Sequence, residues 1–127
     1  RPRPTLRPQP TIGPTATSAP LVQSPACGDP RAVITAPGVN AVVTGMTPVF
    51  GTAVHERFQY YKLEYGAGAT PTVWSYFDGG DRPVQGGRLG TLNADALAPG
   101  TYAIRVIVVD KTGNFIDPPC QTIVVVR

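Results

Sequence analysis

From Arg31 onward the chain alternates apolar and polar residues in short runs separated by Gly, Pro, Asn and Asp. A period of two belongs to strands with one buried face, and turn residues at such intervals belong to an antiparallel sandwich. The pattern predicts strands at "RAVITA" (31–36), "AVVTG" (41–45), "PVFGTAV" (48–54), "FQYYKLEYG" (58–66), "VWSYF" (73–77), "GRLGTL" (87–92), "YAIRVIVVD" (102–110) and "QTIVVVR" (121–127). Helical periodicity is absent. The run "NADAL" (93–97), ahead of Pro99 and Gly100, is long enough only for a turn.

Alternation also assigns faces. Along 102–110, Tyr102, Ile104, Val106 and Val108 share one side and Arg105, Ile107 and Val109 the other. The first set is the core side, because a lone arginine does not point into a dry interior. By the same logic Tyr61, Leu63 and Tyr65 point inward and Tyr60, Lys62 and Glu64 outward. If the two strands are neighbours, Arg105 meets Glu64 across the outer face, for a few tenths of a kcal/mol. The last strand adds Val124 and Val126, or else Ile123 and Val125, to that apolar outer side. Val124 and Val126 join Ile107 and Val109 as candidate contacts. A bare "TIVVV" at a sheet edge invites pairing with another chain; a central position covers it at home.

The residues "LAPGTY" (97–102) match the lead-in to the tyrosine corner of immunoglobulin-like sandwiches, where a tyrosine hydroxyl at the start of a late strand bonds an upstream backbone group. Tyr102 is accordingly architectural. With "ITAPGVNAVVTG", "PVFGTA", "FQYYKLEYGAG", "VWSYF", "LGTLNADALAPGTYAIRVIVVDKTGN" and "TIVVV", the segment from about Arg31 to Val126 resembles the immunoglobulin-like and fibronectin-III-like modules of bacterial cell-envelope and secreted proteins. The resemblance implies an all-β, immunoglobulin-like antiparallel sandwich of seven or eight strands. Modules of this kind serve as spacers, adhesion units, sugar binders and assembly subunits, so the likeness speaks for a fold rather than a task.

Two cysteines, Cys27 and Cys120, bracket the strands. Such a pair at the ends of a small β domain points to a disulfide and an oxidising compartment; two buried free thiols are the other reading. In sandwiches of the kind resembled, the first strand often runs parallel to the last, which brings the residues preceding each to one end.

Residues 1–26 differ in kind. They hold seven of the 15 prolines, three arginines and no acidic or aromatic residue. A stretch so poor in large apolar side chains does not offset its ordering entropy, so it reads as an extended, proline-rich arm ahead of a domain at 27–127. Arg1, Arg3 and Arg7 are its candidate contacts, with the arm expected to lie on a partner. These three also account for the overall charge of +3, since eight basic and eight acidic residues follow from Cys27 onward. The folded part thus lacks a basic footprint for nucleic acid. No run reaches the roughly 18 apolar residues of a membrane-spanning helix. The chain opens on arginine and reads as a mature or trimmed portion, with an upstream signal, lipid anchor or membrane helix as an expectation.

Reactive chemistry is sparse. The segment from Cys27 has one serine, Ser75, and one histidine, His55, without a glycine-flanked serine motif or a zinc-binding helix motif. His55, in "AVHERF", reads as a loop residue. Asp78 and Asp81, and Asp110, Asn114 and Asp117, are oxygen-rich runs in which turn chemistry competes with calcium. Tyr60, Trp74 and Tyr76 are the stronger lead, as aromatic rings that fill protein interfaces or stack on sugars. The expected function is therefore noncatalytic and cofactor-free. It is that of an extracellular or envelope-exposed interaction module, docked on other protein subunits or on copies of itself through arm and sheet. Binding of a glycan or wall polymer, and a passive spacer role, are the alternatives.

Overall fold

The computed structural model describes residues 23–127, and the candidate arm contacts Arg1, Arg3 and Arg7 lie outside the described residues. Eight strands follow in chain order: β1 (Ala32–Ala36), β2 (Ala41–Val43), β3 (Met46–Ala53), β4 (Phe58–Ala67), β5 (Ser75–Gly80), β6 (Val84–Asn93), β7 (Gly100–Asp110) and β8 (Cys120–Val126). They form a three-stranded sheet ordered β1-β3-β6 and a five-stranded sheet ordered β2-β8-β7-β4-β5. The protein is thus an all-β sandwich. The run 93–97 supplies a single 3-10 turn at Ala94–Ala96.

The core lies between the sheets. Ile34 and Val49 from the smaller sheet meet Leu63, Ile104, Val106, Val108, Val124 and Val126 from the larger, all essentially sealed from solvent. Of these, Leu63, Ile104, Val106 and Val108 are residues that alternation points inward, and full burial of each such side chain contributes about 1.5–3 kcal/mol. The Tyr61 hydroxyl crosses the core to donate to the Leu89 carbonyl on β6.

The last strand departs from one sequence expectation and resolves an alternative left open. Val124 and Val126 are not outer-face contacts: at 0% and 2% exposure they face the core. Ile123 and Val125 take the outward positions and are half-buried. The cause is the register, in which Tyr102, an inward residue of β7, pairs with Val124. β8 is also no edge, because β2 pairs with it in parallel, Ala41 opposite Val124 and Val43 opposite Val126. The strand parallel to the last is therefore the second one, while β1 pairs with β3 in the other sheet.

β5 lies later than "VWSYF" predicts, because Asp78, Gly79 and Gly80 pair with Leu63, Lys62 and Tyr61 instead of turning. Glycine is needed there. A Cβ on Gly79 would stand 2.5 Å from the Tyr61 carbonyl oxygen, closer than any side chain tolerates. Asp78 then closes the corner between the sheets, its Oδ2 accepting the Thr91 N–H of β6 at 2.8 Å.

Two further features fix the ends. The Tyr102 hydroxyl donates to the Ala98 carbonyl at 2.8 Å, four residues upstream, as the tyrosine corner requires. Cys27 and Cys120 are disulfide-bonded with Cα atoms 4.9 Å apart, and the Ile34 N–H points at the Cys120 sulfur from 3.3 Å. Contacts with the sandwich begin before Cys27: the Val39 N–H donates to the Gln23 carbonyl at 2.7 Å, and Pro25 is buried.

Candidate functional site

The outer face of the five-stranded sheet gathers most of the residues singled out by sequence. On β7, Arg105, Ile107 and Val109 point outward; on β4 their partners are Glu64, Lys62 and Tyr60. Tyr76 of β5 lies opposite Glu64 and is 63% exposed. Trp74, just ahead of β5, joins them from the loop.

The middle of this face is polar and tied together. Arg105 donates from Nε to Glu64 Oε1 at 2.8 Å and holds the same oxygen from Nη2 at 2.7 Å, while Lys62 Nζ stands 3.4 Å from Oε2. Glu64 is consequently buried although it sits on an outer face. The guanidinium carbon of Arg105 lies 4.1 Å from the centre of the Trp74 ring, a cation–π stack. The tryptophan is thereby committed to its own sheet on that ring face. Beside it the β4–β5 loop crosses Gly66, where a Cβ would stand 2.4 Å from Pro71.

Below this belt the face becomes a groove of about 180 Å³, lined by Tyr60, Lys62, Glu64, Arg105, Ile107, Val109, Gly113 and Phe115. Ile107 and Val109 form its floor. Tyr60 (38% exposed) and Phe115 (49% exposed) form apolar walls. Phe115 is the residue that the sequence reading missed. It sits in the β7–β8 loop and is drawn against the sheet by an antiparallel bridge to Val109. Its one signal was an aromatic residue beside Ile116 in a turn rich in Thr, Gly, Asn and Asp, "TGNFID".

That loop is held by its aspartate. Asp110 Oδ1 accepts the N–H groups of Thr112 at 2.8 Å and Asn114 at 3.2 Å, as well as the Thr112 hydroxyl. The hydroxyl bond is the main reason its carboxyl titrates below the usual range. Asp78 is engaged likewise by Thr91 and Gly79. Among the described residues no group of three or more His, Cys, Asp or Glu side chains is placed to hold a metal ion. His55 Nδ1 accepts the Arg57 N–H at 2.9 Å, with Nε2 3.9 Å from Asp110 Oδ2. Asp110 and the histidine are thus engaged in local turn structure, and Asp78 in the corner between the sheets. No helix among the described residues is long and apolar enough to cross a membrane.

At the opposite end of the same face Val42, 55% exposed, stands beside the half-buried Val125. Comparison with protein-family models, with curated proteins and with solved structures finds no match.

Proposed function

We propose that this protein is a noncatalytic interaction module that works in an oxidising compartment, secreted or on the outer side of a bacterial envelope. In this reading it docks on other protein subunits through the outer face of its five-stranded sheet. One observation carries it: two exposed aromatic walls, Tyr60 and Phe115, rise over an aliphatic floor beside the Lys62–Glu64–Arg105 cluster, an apolar centre with a polar rim. The disulfide supports the compartment, since reducing cytosol does not maintain such bonds.

The finer family assignment also belongs here. The leading segment splits between sheets, β1 joining β3 and β2 joining β8. Together with the Tyr102–Ala98 bond, this supports membership of the immunoglobulin-like and fibronectin-III-like modules. A sugar platform is less well supported, since Arg105 already occupies a face of Trp74.

The test is a photo-crosslinking residue placed at Phe115 and, as control, at Phe50, which is 40% exposed on the other sheet. In the native source Phe115 should yield a discrete protein adduct and Phe50 none. Equal labelling from both positions, or none from either, refutes the reading.

A further inference from the structure

The charges that line the groove do not balance: Lys62 and Arg105 bring two positive charges and Glu64 one negative. Glu64 is 8% exposed, and its charge is spent inside the fold. Its Oε1 accepts from both Nε and Nη2 of Arg105, and its Oε2 faces the Lys62 ammonium from 3.4 Å. Those two bonds use the side-on edge of the guanidinium. The end-on edge, with a hydrogen on each Nη, meets no acceptor among the described residues, and the Lys62 ammonium meets no second carboxylate there.

The unused donors are also held still. The Trp74 ring stacks 4.1 Å from the guanidinium carbon while Glu64 grips its edge. A side chain fixed in this way loses little freedom when it takes an acceptor from outside, which lowers the cost of binding one. Next to these donors the groove turns apolar. Ile107 follows Arg105 on the same side of β7, about 7 Å further on, and lies opposite Lys62 on β4, with Tyr60 and Phe115 beside it. An extended chain laid on this face repeats its own same-side residues at that interval of about 7 Å.

We propose that the groove binds an extended segment of a partner protein that carries a large apolar side chain and, two residues from it, an aspartate or glutamate. The apolar side chain sits between Tyr60 and Phe115 over Ile107 and Val109. The carboxylate takes the end-on edge of Arg105 and the ammonium of Lys62, restoring charge balance to the groove. This gives the docking role proposed above its partner chemistry, and it rests on that role. Charge then selects among partners, because a segment with lysine or arginine at the same place meets two cations instead of completing them.

The experiment titrates the isotope-labelled 127-residue chain with acetyl-Ser-Glu-Ser-Phe-Ser-Glu-Ser-amide and with its counterparts bearing glutamine or lysine in place of both glutamates. Glutamate on both sides of phenylalanine removes any dependence on chain direction. At up to about 10 mM peptide in low salt, the glutamate form should shift the amide signals of Lys62, Ile107, Gly113 and Phe115 and leave Phe50 in place. It should bind at least about threefold more tightly than the glutamine form, and the lysine form should bind most weakly. Lys62→Glu should reverse the order of the glutamate and lysine peptides, while Arg88→Glu, the same kind of change on the other sheet, should preserve it. The signals of Leu63 and Ile104 report that each variant keeps its core, and the comparison of peptides on wild type stands whether or not a variant folds. Equal affinity for the glutamate and glutamine forms, no groove shift with any peptide, or an order that a folded Lys62→Glu leaves unchanged would overturn the proposal. A discrete adduct from position 115 together with equal peptide affinities retires the acidic partner and keeps the docking face, whereas equal labelling from positions 115 and 50 retires the face itself.

Discussion

Opening the Cys27–Cys120 bond perturbs the most consequential single link in the sandwich. The cysteines are separated by 93 positions, and the bond ties the segment ahead of β1 to the first residue of β8. In the chain-entropy treatment, closing a loop of that length lowers the entropy of the unfolded chain by about 15.6 cal/mol/K, or about 4.6 kcal/mol at 25 °C. Domains of this size are stable by only about 5–15 kcal/mol, so the loss is a large share of the total. The substitution is Cys27→Ser/Cys120→Ser, because an oxygen at 120 keeps an acceptor for the Ile34 N–H. Unfolding in urea is followed by fluorescence of the single tryptophan, Trp74, with oxidised wild type as reference. With a urea slope of about 1–2 kcal/mol/M, the midpoint should fall by about 2–5 M, and the slope should rise because the unfolded chain exposes more surface. A loss below about 1 kcal/mol with an unchanged slope would refute the reasoning, since the bond would then not be restricting the unfolded ensemble.

Tyr102→Phe removes the hydroxyl bond to Ala98 and should cost about 0.5–1.5 kcal/mol in the same titration, without change in the strand signals of circular dichroism. Gly90→Ala brings a Cβ to within 2.6 Å of Asp78 Oδ2, so it should displace that carboxylate from Thr91 and destabilise by about 1–3 kcal/mol; a neutral result would show that the corner relaxes freely. Asp29 is held at a pKa of about 2, below its ordinary 3.8, first by its side-chain hydrogen bond with Arg31. A depressed carboxyl contributes stability above pH 3.8 that is lost as pH falls through 2. Wild type should therefore lose more stability than Asp29→Asn between those limits, and equal loss would sink the assignment. Trp74→Ala should weaken the fold through loss of the Arg105 stack, by about 1–2 kcal/mol, while crosslinking from position 115 persists.

What the sequence disclosed follows from how locally each feature is encoded. Strand positions and inward faces are set by period-two alternation, which each residue carries by itself, and Leu63, Ile104 and Val106 are buried as the pattern requires. The tyrosine corner is local as well, with donor and acceptor four residues apart. The outward identity of β8 was not local. "TIVVV" is apolar at every position, so alternation has no phase there, and only pairing with β7 decides that Val124 faces the core and Ile123 does not. Likewise, no property of "FDGGD" distinguishes a turn from a strand that needs glycine to pass the Tyr61 carbonyl. The groove lay furthest from view, because its Phe115 wall belongs to a turn whose shape depends on Asp110 gathering three hydrogen bonds from Thr112 and Asn114. That dependence gives the site a handle of its own. Asp110→Ala should release the loop, let Phe115 leave Val109 and abolish adduct formation from position 115, whereas the core, which Asp110 does not enter, keeps its strands. Global unfolding of that variant would show instead that loop and sandwich are one cooperative unit.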